Sequence, residues 1–408
     1  MNAREERGLV IAALCKLNRV NGEWAVPSQS SEMVYRVNLT NHTCTCPDFA
    51  EAGQKCKHQY AAEFTMKREV AADGTITETK TMTFSEKKTY KQNWPAYNAA
   101  QSVEKDRFQE LLFDLLRGVP EPERTVKGRK PHTVRNSLFA IIFKVYSTLG
   151  SRRFSTDLRD AHAKGHLSAP VPGLKVNLFM ENAEYTPILK QLIAQSALPL
   201  KGVETDFAID SSGFSTSRFE RWFDHKYGIT RQRCMWVKVH LACGVKTNVV
   251  TAVRILDKDA ADSPQFVPLV KETKKNFTIG EVSADKAYAS VENFEAVAEC
   301  GGTGFIAFKS NATGAAGGLF QKMFHYFQFK QDEYMEHYHK RSNVETTFSM
   351  VKRKFGDSVR SKNDAAMENE VLCKLLCHNL CVLIQEQHEL GIEPIFWKDA
   401  AGAQALAV

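Results

Sequence analysis

The sequence predicts an α/β carboxyl-terminal half, within a chain that is α+β overall: a sheet flanked by helices, preceded by a mostly helical region and a small Cys- and His-bearing module. Three observations predict it. After residue 200, apolar runs of strand composition follow one another and then alternate with helical stretches. Two of those runs end in Asp, at Asp210 and Asp285. Near the other end of the chain, three Cys and one His fall between positions 44 and 58.

Taken in order, Met33 to Leu39 has strand composition, and the metal-ligating cluster follows as Cys44, Cys46, Cys56 and His58. Gln59 to Lys67 reads as a helix. Three thiolates and one imidazole complete a tetrahedral Zn²⁺ site, and such a closed site is structural because no position is left open for water. Ordinary buried cysteines beside one His are the competing reading. The spacing Cys-x-Cys-x9-Cys-x-His, with Pro47-Asp48-Phe49 after the second Cys, resembles the SWIM zinc finger, which implies a module over residues 1–70 that binds DNA or protein.

Residues 71–200 are expected to form a linker and a basic, DNA-binding helical region. A hairpin is predicted around Asp73-Gly74. Helices are predicted over Ala99–Arg117, Pro131–Leu149 and Thr186–Ala197. From Arg124 to Arg153 there are eight Lys or Arg and no Asp or Glu. Within that run Arg129 and Lys130 belong to a segment, Lys127-Gly128-Arg129-Lys130-Pro131, suited to gripping a phosphate backbone without regard to base sequence. A solvated loop is the alternative.

Residues 201–390 carry the chemistry. Asp206–Phe214, Cys234–Leu241 and Asn248–Leu256 read as three successive strands. A helix over Ser263–Lys275, a fourth strand ending at Asp285, a helix over Val291–Cys300 and a fifth strand at Phe305–Phe308 follow. Further on, Tyr338, Arg341, Glu345 and Lys352 lie at offsets of zero, three, seven and fourteen. On one helix these four share a face, within an arc of about 60°. A carboxylate is thereby flanked by two cations and a phenol, a set that suits a metal-binding Glu working beside phosphates. An ordinary solvated helix with an Arg–Glu pair is the plainer reading. Asp210 and Asp285 also have plainer roles open to them, as turn and helix caps, and Asp206 competes with Asp210 as first ligand from the same strand face.

The three motifs, in this order, resemble the DDE transposases of bacterial insertion sequences, a branch of the ribonuclease H-like fold. Asp210-Ser211-Ser212 corresponds to an Asp-Ser-Thr-like turn, and Asp285-Lys286-Ala287-Tyr288 to Asp-x-Gly/Ala-Tyr/Phe. Tyr338, Arg341, Glu345 and Lys352 fit Tyr-x2-Arg-x3-Glu-x6-Lys without a gap. Ser212 stands where Thr is usual and keeps the hydroxyl. The stretch between Asp285 and Glu345 leaves no room for the large β-rich insertion of some relatives. The resemblance implies Asp210, Asp285 and Glu345 as ligands of Mg²⁺ or Mn²⁺, with Tyr338, Arg341 and Lys352 on DNA phosphate. Hard cations of this kind take oxygen ligands, and two of them about 3.5–4 Å apart suit an in-line displacement at phosphorus.

Composition agrees with a partner that is a polyanion: net charge is +7, and 43% hydrophobic content supports a sizeable core. No run approaches the ~20 apolar residues of a membrane span, and no signal-peptide pattern opens the chain. Cys373, Cys377 and Cys381 are helix-spaced and read as one face of a buried helix, with His378 a core or cap residue. Reduced thiols, a cytoplasmic, nucleoid-associated location, no small-molecule substrate and a homodimer on DNA are expected, with a tail over 391–408 that frays after Trp397. Two alternatives stay open: a catalytically silent zinc-finger protein that only binds DNA, and a nuclease of the same fold without strand transfer.

Overall fold

A computed structural model describes residues 3–29, 33–71, 93–122, 131–216, 236–256 and 261–397. Its contacts divide the chain into two units, Met1–Lys91 and Gln92–Val408.

In the first unit α1 (Ala3–Leu14) precedes an antiparallel meander of β1 (Asn18–Val20), β2 (Glu23–Pro27), β3 (Val34–Asn38) and β4 (Thr43–Cys44), followed by α2 (Pro47–Ala52) and α3 (Lys57–Ala71). Asn21 and Gly22, both at positive φ, make the two-residue turn between β1 and β2, the conformation that Asn-Gly favours. Trp24, Val26 and Val37 alternate onto the face that buries Ile11 of α1 and Ala61 of α3. The expected strand and helix are both present, the helix starting two residues early.

The second unit begins with five helices: α4 (Trp94–Leu116), α5 (Val134–Ser147), α6 (Ser151–Ala163), α7 (Lys175–Met180) and α8 (Tyr185–Ala197). Then come β5 (Asp206–Ser215), β6 (Trp236–Gly244), β7 (Val250–Leu256), α9 (Ser263–Asn276), β8 (Glu281–Ala284), α10 (Val291–Glu299) and β9 (Thr303–Ile306). The chain closes with α11 (Gly318–Phe329), α12 (Gln331–Tyr338), α13 (Ser342–Phe355) and α14 (Asp364–Glu389). The sheet order is β7-β6-β5-β8-β9, with β5, β6 and β7 antiparallel and β8 and β9 parallel to β5. This is the mixed α/β architecture that three meander strands followed by alternating helices and strands imply.

Helix α14 is buried nearly all round, with Leu372, Cys373, Leu375, Leu376, Cys377 and Leu380 inside. Several of its polar residues are satisfied, though the buried Gln385 Nε2 has no partner among the described residues. Asn379 accepts from Val250 N (2.8 Å) and donates to Val250 O (2.8 Å) and Ser196 Oγ (2.9 Å). His378 Nε2 meets Asn248 O at 2.9 Å, as a core histidine should.

One hydrophobic core runs from Ala100 through the sheet to Phe396, across the boundary expected at 200/201. Three expectations need adjustment. The fifth strand ends at Ile306 instead of Phe308, and α6 and α7 add helices not foreseen. The Tyr338–Lys352 stretch is not one helix: α12 ends at Tyr338, a 3-10 turn covers His339–Arg341, and α13 starts at Ser342. The hairpin at Asp73-Gly74, Arg129 and Lys130, Cys234 and the tail from 398 lie outside the described residues.

Candidate active site

Parallel pairing brings the two Asp residues together. Ile209 of β5 pairs with Ala284 of β8, so the next residues along the two segments, Asp210 and Asp285, stand side by side. Four residues back, Asp206 and Glu281 form a second carboxylate pair in the same register. A period of two puts both pairs on one face of the sheet.

Cations from the 3-10 turn reach both pairs. Lys340 Nζ lies 2.7 Å from Asp206 Oδ2 and 2.8 Å from Glu281 Oε2, and His337 Nδ1 reaches Glu281 Oε1 at 2.9 Å. Asp206, the competitor for first ligand, is thus occupied by Lys340. Arg341 spans the other group: its guanidinium is 3.1 Å from Asp210 Oδ2 and 2.6 Å from Glu345 Oε1. The break at the turn explains this geometry. Tighter winding than an α-helix lets neighbouring Lys340 and Arg341 each reach a different carboxylate pair.

Helix α13 completes the site from the same face. Lys352 Nζ donates to Ser212 Oγ (2.7 Å), and Tyr338 lies with its ring 6.0 Å from the Arg341 cation. Asp210, Ser212, Glu345, Lys352 and Arg353 line an open cleft of about 640 Å³. The arrangement therefore assembles the four side chains that the sequence places on one helical face, by a different local path.

The electrostatics are those of crowded acid groups. Burial pushes Asp210 above the usual carboxylate range, and the charges of Asp285 and Glu345 add to the rise while Arg341 opposes it. Burial also raises Tyr338 and lowers Lys352. Asp285 accepts from Lys286 N at 2.6 Å and so caps its own 3-10 turn while remaining beside Asp210. The three carboxylates are oxygen donors of the kind a hard divalent cation takes, but here Arg341 occupies oxygens of Asp210 and Glu345, and among the described residues the trio is not drawn into a closed metal-holding group.

On the opposite face of β5 a second polar group supports the strand. Ser211 Oγ lies 3.3 Å from Asp262 Oδ1, Lys238 Nζ lies 2.6 Å from the same oxygen, and His240 faces it at 3.8 Å. Burial holds His240 at about 4, and the Tyr288 hydroxyl lies 3.5 Å from its Nδ1. Sequence reasoning missed Asp262, Glu281 and Lys340. Glu281 and Lys340 carry a signal in hindsight: one lies four residues before Asp285, as Asp206 does before Asp210, and the other precedes Arg341. Asp262 carries none, since its approach depends on how α9 packs.

In the first unit, Cys44 ends β4, Cys46 caps α2, and Cys56 and His58 sit at the start of α3. Their ligand atoms all lie within 4.8 Å of one another, with His58 Nδ1 4.0 Å from Cys44 Sγ and 3.9 Å from Cys56 Sγ. All four residues are buried. Zn–S bonds of about 2.3 Å and Zn–N bonds of about 2.0–2.1 Å give tetrahedral edges near these separations, so the donor set fits Zn²⁺. Among the described residues this is the group of Cys, His and carboxylate side chains closed to that degree. The described cysteines, Cys373, Cys377 and Cys381 included, are free thiols, and no described helix is long and apolar enough to cross a membrane.

The family described as "Transposase DDE domain" matches residues 201–380, and the SWIM zinc finger family matches residues 35–67. Among solved structures, a piggyBac transposase in a synaptic complex with hairpin DNA is similar at 10% identity and a TM-score of 0.37, over 71% of this chain and 77% of that one. No curated protein matches.

Proposed function

We propose that this chain, a DNA transposase with a DDE catalytic domain and an N-terminal SWIM zinc finger, uses Asp210, Asp285 and Glu345 to cut phosphodiesters at the ends of its element. The freed 3′-hydroxyls are then joined to target DNA. One observation carries the assignment of residues: strand register sets Asp210 beside Asp285, and Arg341 ties Asp210 to Glu345 across the cleft.

The three carboxylates would hold Mg²⁺ or Mn²⁺, which supplies Lewis-acid stabilisation at phosphorus and a more acidic nucleophile, in a two-metal arrangement. The chain's own residues do the positioning. Lys352 lines the cleft where a phosphate oxygen would lie, and Arg341, whose guanidinium holds Asp210 and Glu345, would be released to that phosphate when the carboxylates hold metal. Tyr338 packs against that guanidinium and limits its swing. Arg129 and Lys130 are assigned to the DNA backbone on their charge alone. In the first unit Cys44, Cys46, Cys56 and His58 would hold Zn²⁺ in a closed, structural site. Two ends must be cut together, so the working species is a homodimer on DNA, associated with the nucleoid.

Asp285→Ala is expected to abolish strand cleavage while DNA affinity stays within about twofold, measured by gel analysis of cut products alongside equilibrium binding. Loss of binding together with cleavage would remove Asp285 from the catalytic role. In cells, a marker between the DNA segments that flank the gene should move with wild type and not with Glu345→Ala at matched expression. Cut ends without joined strands would point to a nuclease of the same fold, and no products despite DNA binding to a silent relative.

A further inference from the structure

The basic stretch from Lys352 to Lys362 has its two ends in two different cavities. Lys352 and Arg353 line the catalytic cleft. Arg360 and Lys362 line a second cavity of about 410 Å³, whose remaining wall includes Lys144 of α5, Gly150 and Ser151 at the start of α6, and Lys374 of α14.

Charge in this second cavity is one-sided. The buried Glu370 is its inward acid, and its oxygens are already taken by Arg360 N (2.9 and 3.0 Å), Ser361 N (2.9 Å) and Ser361 Oγ (2.7 Å). Lys374 pairs with Glu370 at 3.8 Å and also donates to Gly356 O (3.0 Å) and Ser358 O (2.7 Å), while Arg360 is held by Thr148 O (2.8 Å) and Lys144 by Leu149 O. Carbonyls satisfy N–H donors without cancelling their charge. Lys144 is accordingly held below the ordinary lysine range by burial and by the nearby Arg360. Against these cations stands Glu181, exposed at the rim.

The α5–α6 corner adds to the same field. Helix α6, thirteen residues long, starts at Gly150 with no side-chain cap, so its first N–H groups face outward at the positive end of the helix dipole. Arg152 and Arg153 follow at once, both exposed, and line an adjoining hollow with Gly150 and Leu174.

We propose that this cavity receives a backbone phosphate of the DNA that runs out of the catalytic cleft, so that the 352–362 stretch grips one strand at both ends. The proposal rests on the transposase reading. A second anchoring point of this kind fixes the direction of the duplex relative to Asp210, Asp285 and Glu345 and carries no base preference.

Binding of a generic duplex to the full-length protein across a salt series tests it. The variant Arg152→Ala/Arg153→Ala/Lys362→Ala removes three exposed cations. It is expected to bind about tenfold more weakly, with a slope of log affinity on log salt shallower by 1 or more. Glu181→Gln, which removes the rim acid, is expected to bind more tightly, and that gain cannot come from misfolding. Unchanged affinity and slope in both variants, with wild type binding normally, would overturn the cavity and leave the transposase reading intact. Failure of wild type to bind DNA at all would overturn both. A third arm uses inorganic phosphate: if it protects wild type against heat and the triple variant loses that protection while its DNA slope is unchanged, the occupant is a small anion and the DNA proposal is wrong.

Discussion

Asn379 shows how much one polar side chain can hold at the residue scale. Fully buried on α14, it satisfies both backbone groups of Val250, the first residue of β7. Asn379→Ala would leave that N–H and C=O without partners in an apolar setting, and a loss of about 2–3 kcal/mol is expected in denaturant unfolding. Two other residues of α14 give the fold opposite responses to pH. Burial lowers His378 from 6.5 to about 4, so the folded state binds fewer protons and stability falls as pH drops from 6.5 to 4. Burial, with Glu389 and Glu204 nearby, raises Glu386 from 4.5 to about 7, so stability falls as pH rises from 4.5 to 7 and is level above that. Each shift corresponds to about 3 kcal/mol. Glu386→Gln should therefore raise the melting temperature relative to wild type at pH 8 and not at pH 4.5. Equal melting temperatures at both pH values would mean that Glu386 is not held neutral by burial.

At the scale of elements, the 3-10 turn between α12 and α13 is the joint on which the site depends. Lys340 anchors it to the start of β5 and β8, and Arg341 anchors it to Asp210, four residues along β5. Lys340→Ala would leave Asp206 without its cation and Glu281 with His337 alone. A loss of about 2 kcal/mol is expected from the missing charge-assisted bonds. The informative readout is catalytic: since Lys340 touches neither Asp210 nor Glu345, slower cleavage at saturating DNA would show that the turn's position sets the site. Cleavage at the wild-type rate would make Lys340 a purely structural residue. Helix α13 contributes the other half, holding Lys352 over Ser212 and burying Val344, Phe348 and Val351 against the sheet.

For the whole molecule, two units with separate cores imply separable stability. The Cys and His cluster joins the meander to α3 in a unit whose hydrophobic core is small, so the bound ion is expected to supply much of its folding energy. Cys44→Ser or His58→Ala should lower zinc content below one per chain and abolish the cooperative transition of Met1–Lys91. The transition of Gln92–Val408 should stay within about 2 °C, since the core from Ala100 to Phe396 includes no residue of the first unit. Zinc retained at one per chain in both variants would show that the ligands are assigned wrongly.

Local chemistry made much of this protein legible in its sequence. Strand composition with an Asp closing the apolar run is a short-range signal, so β5, β8 and the candidates Asp210 and Asp285 could be read directly, as could a zinc set confined to positions 44–58, although β5 continues through Asp210 to Ser215 instead of turning there. Helix periodicity located α4, α5, α8, α9 and α10 to within a few residues. Tertiary structure alone decided which acids meet which cations. Parallel pairing of β5 with β8, 75 residues apart at Asp206 and Glu281, sets the register that puts Asp210 beside Asp285. The interruption before Ser342 likewise depends on ion pairs to strands more than 50 residues away in sequence, which no local period encodes. The same holds for Asp262 and for the cavity at the α5–α6 corner: their chemistry comes from segments distant in the chain, and only packing brings them together.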